Sequence, residues 1–251
     1  MSINLDIQLN SAGAANRADQ LIVDSVKSFP DLVLGLATGS TPEETYGEIV
    51  RQYEGGKVSF AKVQTFNLDE YWGLDGDHEQ SYRYFMQTRL FDHIDVRPWN
   101  THVLNGRAAN AAVECEAYEK KIQACGGVDL WLLGIGQNGH IAFNEPGSTV
   151  DSRTRMVCLT PSTIAANSDG RFFSDPKDVP RCALTAGIAT IREARHLILL
   201  ATGEKKADAV AAAVEGDFTE ACPASLLQDH QHVTFVLDKA AASKLKNRTT
   251  V

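Results

Sequence analysis

The sequence predicts an α/β protein: a mainly parallel sheet buried on both faces, with helices on either side. Three observations carry this. Residues 31–37, 129–133, 195–203 and 232–238 carry apolar runs of strand length, as a doubly covered sheet requires, and 63–68 reads as a further strand. Segments with helical spacing separate them, so strand and helix alternate along nearly the whole chain. Glycine-rich turns follow several of the runs, which is where open α/β sheets hold ligands. No Pro/Ser-rich linker interrupts the 251 residues, so residues 1–251 are expected to form one domain.

Composition narrows the function classes. With 43% hydrophobic residues a sizeable core is available, and no apolar run approaches the ~18 residues of a membrane span. A net charge of −8 argues against a nucleic-acid surface, so an anionic ligand must be met by a few local cations. The start, Met1 to Asp6, has neither a basic region nor a continuous apolar segment, so a cytoplasmic location is the default expectation. The five cysteines are odd in number and lack C-x-x-C spacing, which fits free thiols better than disulfides or a zinc site. They receive no role at this level.

In chain order, residues 13–28 place Ala14, Ala18, Leu21, Ile22 and Val26 at near-helical spacing. The first apolar run then passes into Thr38, Gly39, Ser40, Thr41 and Pro42. Thr41 and Glu44 have capping-box spacing, and Pro42 suits the first helical position. This strand–turn–helix junction is either an ordinary capped helix or an anion site made of free N–H groups. The next run ends in Asp69 and Glu70, which should point to opposite sides, one into a cleft and one into structure. Residues 81–91 read as an aromatic-rich helix with a core stripe, and 109–125 as a helix with a solvated charged face.

The run at 129–133 leads through Gly134, Gly136 and Gly139 to His140 and Glu145, a titratable pair just past a buried strand. A largely polar tract then extends to about residue 182 and is expected to be an irregular lid, about 158–182, in which Arg171 can close on an anion or remain solvated. Lys205 and Lys206 at a helix start oppose the helix dipole, which suggests that one of them reaches a bound anion. A helix through Val214, a short helix at 223–227 and a terminal helix at 239–245 complete the reading.

The segments 36–42, 66–71, 134–146, 171–173 and 203–206, taken together and in order, resemble the glucosamine-6-phosphate deaminase family over residues 30–240 or so. The resemblance implies a Rossmann-like three-layer fold with an active-site lid. It implies conversion of glucosamine 6-phosphate and water to fructose 6-phosphate and ammonia, with a small-molecule sugar phosphate as partner and no metal or organic cofactor. His140 matches the residue that opens the sugar ring, Glu145 the carboxylate that orients its imidazole, and Asp69 the base that moves a proton from C2 to C1. Asn138 stands where some members carry aspartate. Thr38 to Thr41 match the phosphate cradle, with Arg171 and Lys206 supplying charge.

Regulated members of the family are hexamers with a lysine at the position of Val157 and a longer C-terminal tail, so the resemblance implies weakened regulation, with Ser148 and Arg155 retained. It leaves monomer and homo-oligomer open. The rival readings are a galactosamine-6-phosphate deaminase, a 6-phosphogluconolactonase, which would carry arginine where this chain has Tyr71, and a repressor effector domain, which would need a basic N-terminal unit that the first ~30 residues do not form.

Overall fold

The computed structural model describes residues 3–168, 173 and 175–247. Among them a seven-stranded parallel sheet forms the centre. Its strands are β1 (Asn4–Gln8), β2 (Val33–Leu36), β3 (Gln64–Asn67), β5 (Thr101–His102), β6 (Leu130–Leu133), β9 (His196–Ala201) and β10 (Val233–Asp238), in the order β1-β10-β9-β6-β2-β3-β5. A small antiparallel sheet of β4 (Asp69–Tyr71), β8 (Cys182–Thr185) and β7 (Arg155–Cys158) stands beside it. The helices are α1 (Ser11–Ser28), α2 (Ser40–Glu54), α3 (Tyr82–Arg89), α4 (Ala111–Ala124), α5 (Pro161–Asn167), α6 (Ile188–Arg192) and α7 (Ala207–Glu215).

The period of two along each strand sorts the core into two layers. Leu34, Leu36, Leu130, Leu132, Ile198, Leu200 and Val236 pack with α1 and α2 residues such as Ile22, Val26, Tyr46 and Ile49. Their sequence neighbours Val33, Trp131, Leu133, Leu197, Leu199, Phe235 and Leu237 pack with Tyr118, Ile122 and Val210 on the opposite face. Between β2 and β6 the layers are fixed by one close approach. Gly35 lies opposite Trp131 in register, and a Cβ added there would meet the indole carbons at 2.2–2.5 Å. Glycine is the residue that leaves room for the ring.

Chain direction diverges at this pair of strands. From β2 the chain proceeds outward to β3 and β5, whereas from β6 it proceeds the other way to β9 and β10. The loops leaving the two strands therefore part, and a crevice opens outside their carboxyl ends.

Several expectations are corrected here. Asn4–Gln8 is an edge strand that periodicity did not reveal, because one flank needs no apolar cover. The tract before residue 182 is not irregular throughout: β7 and α5 lie in it. The helix beginning at Glu204 opens with a 3-10 turn, Glu204–Lys206, ahead of α7, and Pro223–Leu227 is also 3-10. Among the described residues no helix follows β10. Residues 239–244 form successive turns: the Asp238 carboxylate accepts from Ala241 N at 2.7 Å, but Ser243 N and Leu245 N then donate to carbonyls three residues back, Ala240 O and Ala242 O, each at 3.2 Å. Thr41 and Pro42 also lie deeper than expected: the cap is Gly39, with φ +105°, and α2 begins at Ser40.

Gly35→Ala is predicted to destabilise the fold by about 1–3 kcal/mol, because the added methyl displaces the Trp131 ring from a filled layer. Urea denaturation with the Trp131 fluorescence as readout checks this; an unchanged midpoint would show that the contact is not a constraint.

Candidate active site

The crevice between the carboxyl ends of β2 and β6 holds a cleft of about 370 Å³. Its walls include Thr38 to Pro42, Asp69, Tyr82, Gly134 to Asn138, His140, Ala142, Phe143, Thr163, Asn167 and Lys206. Of the residues singled out by sequence, Asp69, His140, Asn138, Thr38, Gly39, Ser40, Thr41 and Lys206 meet here. Glu145 stands behind them, and Arg171 lies outside the described residues.

The first wall is the start of α2. No side chain caps this helix, and its first-turn N–H groups on Ser40 and Thr41 have no intrahelical acceptor. The expected capping box is therefore not what the junction uses; it leaves donors at the positive helix end, beside the hydroxyls of Thr38, Ser40 and Thr41. Lys206 faces them across the cleft, its ammonium donating to Ile135 O at 2.7 Å at the end of β6. One cation and one uncapped helix end in an acidic protein make a local anion site.

The second wall is the loop after β6. Gly136 N donates to His140 O at 2.9 Å, closing a tight turn, and a Cβ on Gly136 would lie 2.2 Å from imidazole atoms. The ring thus rests on bare backbone. Its Nδ1 sits 2.7 Å from Asn138 Oδ1, and Asn138 Nδ2 donates to Glu145 Oε2 at 2.6 Å. The direct distance from His140 Nδ1 to Glu145 Oε1 is 3.7 Å. Asparagine therefore lies between imidazole and carboxylate, and Glu145 orients the ring mainly through it. Glu145 also accepts from the Thr163 hydroxyl of α5. Burial, with help from Lys206, holds the imidazole pKa below its ordinary value, while Glu145 pulls the other way. Ala142 follows in the left-handed region, φ +52°, a conformation costing roughly 1–2 kcal/mol for a residue with a Cβ. It turns the chain so that Phe143 N can donate to Thr185 Oγ1 at 3.1 Å.

The third wall is the junction of β3 and β4, where the chain leaves one sheet for the other. Asp69 and Glu70 separate as expected. Glu70 turns inward and accepts the N–H groups of Tyr71, Tyr82 and Arg83 at 2.8, 3.0 and 2.9 Å, anchoring the start of α3. Its pKa is still pushed up to about 7, burial outweighing those bonds and Arg83. Asp69 lines the cleft, only 6% exposed. Burial, reinforced by the Glu70 charge, holds its carboxyl well above the usual aspartate range.

Aromatic rings and α5 roof the cleft. Tyr71, Tyr82 and Phe143 pack with centroids 4.9–6.0 Å apart, and Asn167 Nδ2 donates to Tyr71 Oη at 2.9 Å. Sequence reading treated Tyr82 as core and did not single out Thr163 or Asn167. The Thr160 cap, Pro161 at the first helical turn and the following apolar positions were a helix-start signal that could have placed α5. Among the described residues no cluster of His, Cys, Asp or Glu is arranged to hold a metal ion, and no helix is long and apolar enough to cross a membrane.

The arrangement brings a buried carboxylate of raised pKa and an imidazole of lowered pKa into one cleft with an uncapped helix start. Groups of this kind can take up and return protons on a bound ligand.

Comparison with known proteins agrees with this geometry. A family described as glucosamine-6-phosphate isomerases/6-phosphogluconolactonase matches residues 8–236. A glucosamine-6-phosphate deaminase from Shewanella loihica is 54% identical over 239 residues, covering 95% of this chain and 88% of its own. One from Rhodopirellula baltica is 52% identical over 246 residues, covering 98% and 97%. A solved structure of a monomeric glucosamine-6-phosphate deaminase aligns with a TM-score of 0.93 at 42% identity, over 96% of this chain and 99% of that one. A 6-phosphogluconolactonase from Trypanosoma cruzi, with a TM-score of 0.79 and 23% identity over 98% and 99% of the chains, shares the fold. The chain belongs to the glucosamine-6-phosphate isomerase family, with the glucosamine-6-phosphate deaminases.

Proposed function

We propose that this enzyme converts glucosamine 6-phosphate and water to fructose 6-phosphate and ammonia. The observation that carries the reading is the convergence of Asp69, His140 and the uncapped start of α2 in one cleft. The relatives at 50% identity and above, deaminases by name, support the same substrate.

The phosphate occupies the Thr38 to Thr41 turn, held by N–H groups, hydroxyls and Lys206, with Arg171 as the further cation that the family resemblance implies. Fixing this remote group places C1 and C2 beside Asp69, and positioning of this kind is worth up to ~7–11 kcal/mol of barrier in ideal cases. His140 enters the reaction neutral. It takes the proton of the anomeric hydroxyl and returns one to the ring oxygen, opening the sugar, while Asn138 and Glu145 hold the ring and favour the transient imidazolium. Asp69 then removes the C2 proton from the open aminoaldehyde and delivers it to C1. The resulting ketimine takes up water and releases ammonia. The carbon–oxygen bond broken in ring opening and the carbon–nitrogen bond broken in ammonia release are each assisted by a proton transfer.

Burial suits Asp69 to its part, because a raised pKa makes the carboxylate a stronger base and its dry surroundings retain the proton between C2 and C1. The sign for pH follows: the base must be ionised, so kcat/KM falls as pH drops through the raised pKa, well above the ordinary ~3.9 of aspartate. Asp69→Asn is predicted to lower turnover by about 10³-fold or more and to leave substrate affinity nearly unchanged. Ammonia release from glucosamine 6-phosphate across pH checks both points, with galactosamine 6-phosphate and the 6-phosphogluconolactone as comparison substrates. Near-normal turnover in the variant, or faster hydrolysis of the lactone, would overturn the reading.

Ring opening provides a separate test. His140→Gln is predicted to slow reaction of the cyclic sugar by about 10²-fold, and to leave nearly unchanged the reaction of an analogue lacking the C5 hydroxyl, which cannot close the pyranose. Equal losses on both would place His140 in another step.

A further inference from the structure

Outside the cleft, one pair of nucleophilic side chains has no part in this chemistry. Cys158, the last residue of β7, and Cys182, the first of β8, are directly opposite in the antiparallel register, with Sγ atoms 3.5 Å apart as free thiols. Leu159 N donates to Arg181 O at 2.9 Å one rung further on, while the carbonyl of Cys182 turns to the other neighbour and accepts from Trp72 N at 3.0 Å. The two cysteines therefore occupy a non-hydrogen-bonded pair, where cross-strand Cα atoms approach to ~4.5 Å and side chains lie closest. Such a spacing lies inside the range a disulfide spans, and with the Sγ atoms already 3.5 Å apart the bond forms mainly by rotation of the two side chains.

We propose that Cys158 and Cys182 are a reversible dithiol–disulfide couple, oxidised by low-molecular-weight disulfides, that ties together the two ends of the segment carrying Thr163 and Asn167 into the cleft. The order of attack follows from exposure. Cys158 is exposed, and its thiolate attacks one sulfur of the small disulfide, breaking that S–S bond, forming a mixed disulfide and releasing one small thiolate. Cys182 is half-buried, its pKa pushed up by burial and by the neighbouring thiol, so it reacts second. Its sulfur attacks Cys158 Sγ, closes the cross-strand bond and expels the second small thiolate. The two protein protons end on the two released thiols: the protein loses two electrons and the small disulfide gains them. The other cysteines are placed differently, with Cys115 and Cys222 buried and Cys125 donating to Gln64 Oε1.

The test incubates the native full chain with oxidised glutathione and follows intact mass and a peptide map. The expected result is loss of two hydrogens per chain, one cross-linked peptide joining Cys158 to Cys182, and full reversal by dithiothreitol. Cys182→Ser, and separately Cys182→Ala, should instead stop at a stable glutathione adduct on Cys158, with a circular dichroism spectrum matching the parent. A lasting adduct on Cys158 in the unaltered chain, a cross-link to any other cysteine, or thiols that stay unreacted would overturn the proposal.

Discussion

The close passage of β2 and β6 is the constraint on which the rest depends. Gly35 admits the Trp131 ring, the two strands pair in register, and the chain leaves them in opposite directions. That divergence is why the start of α2 and the loop carrying His140 line one crevice although about a hundred residues separate them in sequence. The antiparallel sheet completes the site. By leaving the main sheet at Leu68, whose carbonyl accepts from Ala186 N at 2.7 Å, the chain brings Asp69 to the third wall.

The site then works by unequal treatment of similar groups. Two adjacent carboxylates, both buried and both raised in pKa, are given different tasks by their hydrogen bonds. Glu70 is satisfied by three backbone donors and holds α3, whereas Asp69 faces the cleft with its basicity unspent. Across from them the imidazole is kept neutral by burial and Lys206 but braced by an amide and a carboxylate, so it can take up a proton and give it back.

Much of this was legible in the sequence, for physical reasons that also mark the limits. Strands buried on both faces announce themselves as apolar runs, so β2, β6, β9 and β10 were found, and the more polar β3 was read as a strand beside them. The edge strand β1 and the half-exposed β7 carry no such signature, and the polar tract around β7 read as loop. The turns after β10 replace an expected helix because Ser243 N and Leu245 N reach carbonyls three residues back, so the helical ladder does not continue beyond Ala242. At the site, the spacing of His140 and Glu145 was visible, yet not that Asn138 stands between them, since that depends on where the loop folds back. Thr163 came from a segment whose place over the cleft is set by tertiary packing of Leu159, Ile164 and Phe173 against Tyr71 and Phe143.

The central claim is that one buried carboxylate carries a proton between two carbons while sheltered from water. The direct measurement is the fate of deuterium placed at C2 of glucosamine 6-phosphate and followed by NMR in the fructose 6-phosphate formed in ordinary water. A shielded Asp69 predicts that a measurable part of the label reappears at C1. Label lost entirely to solvent from the first turnovers would contradict a single sheltered carboxylate and require a base open to water.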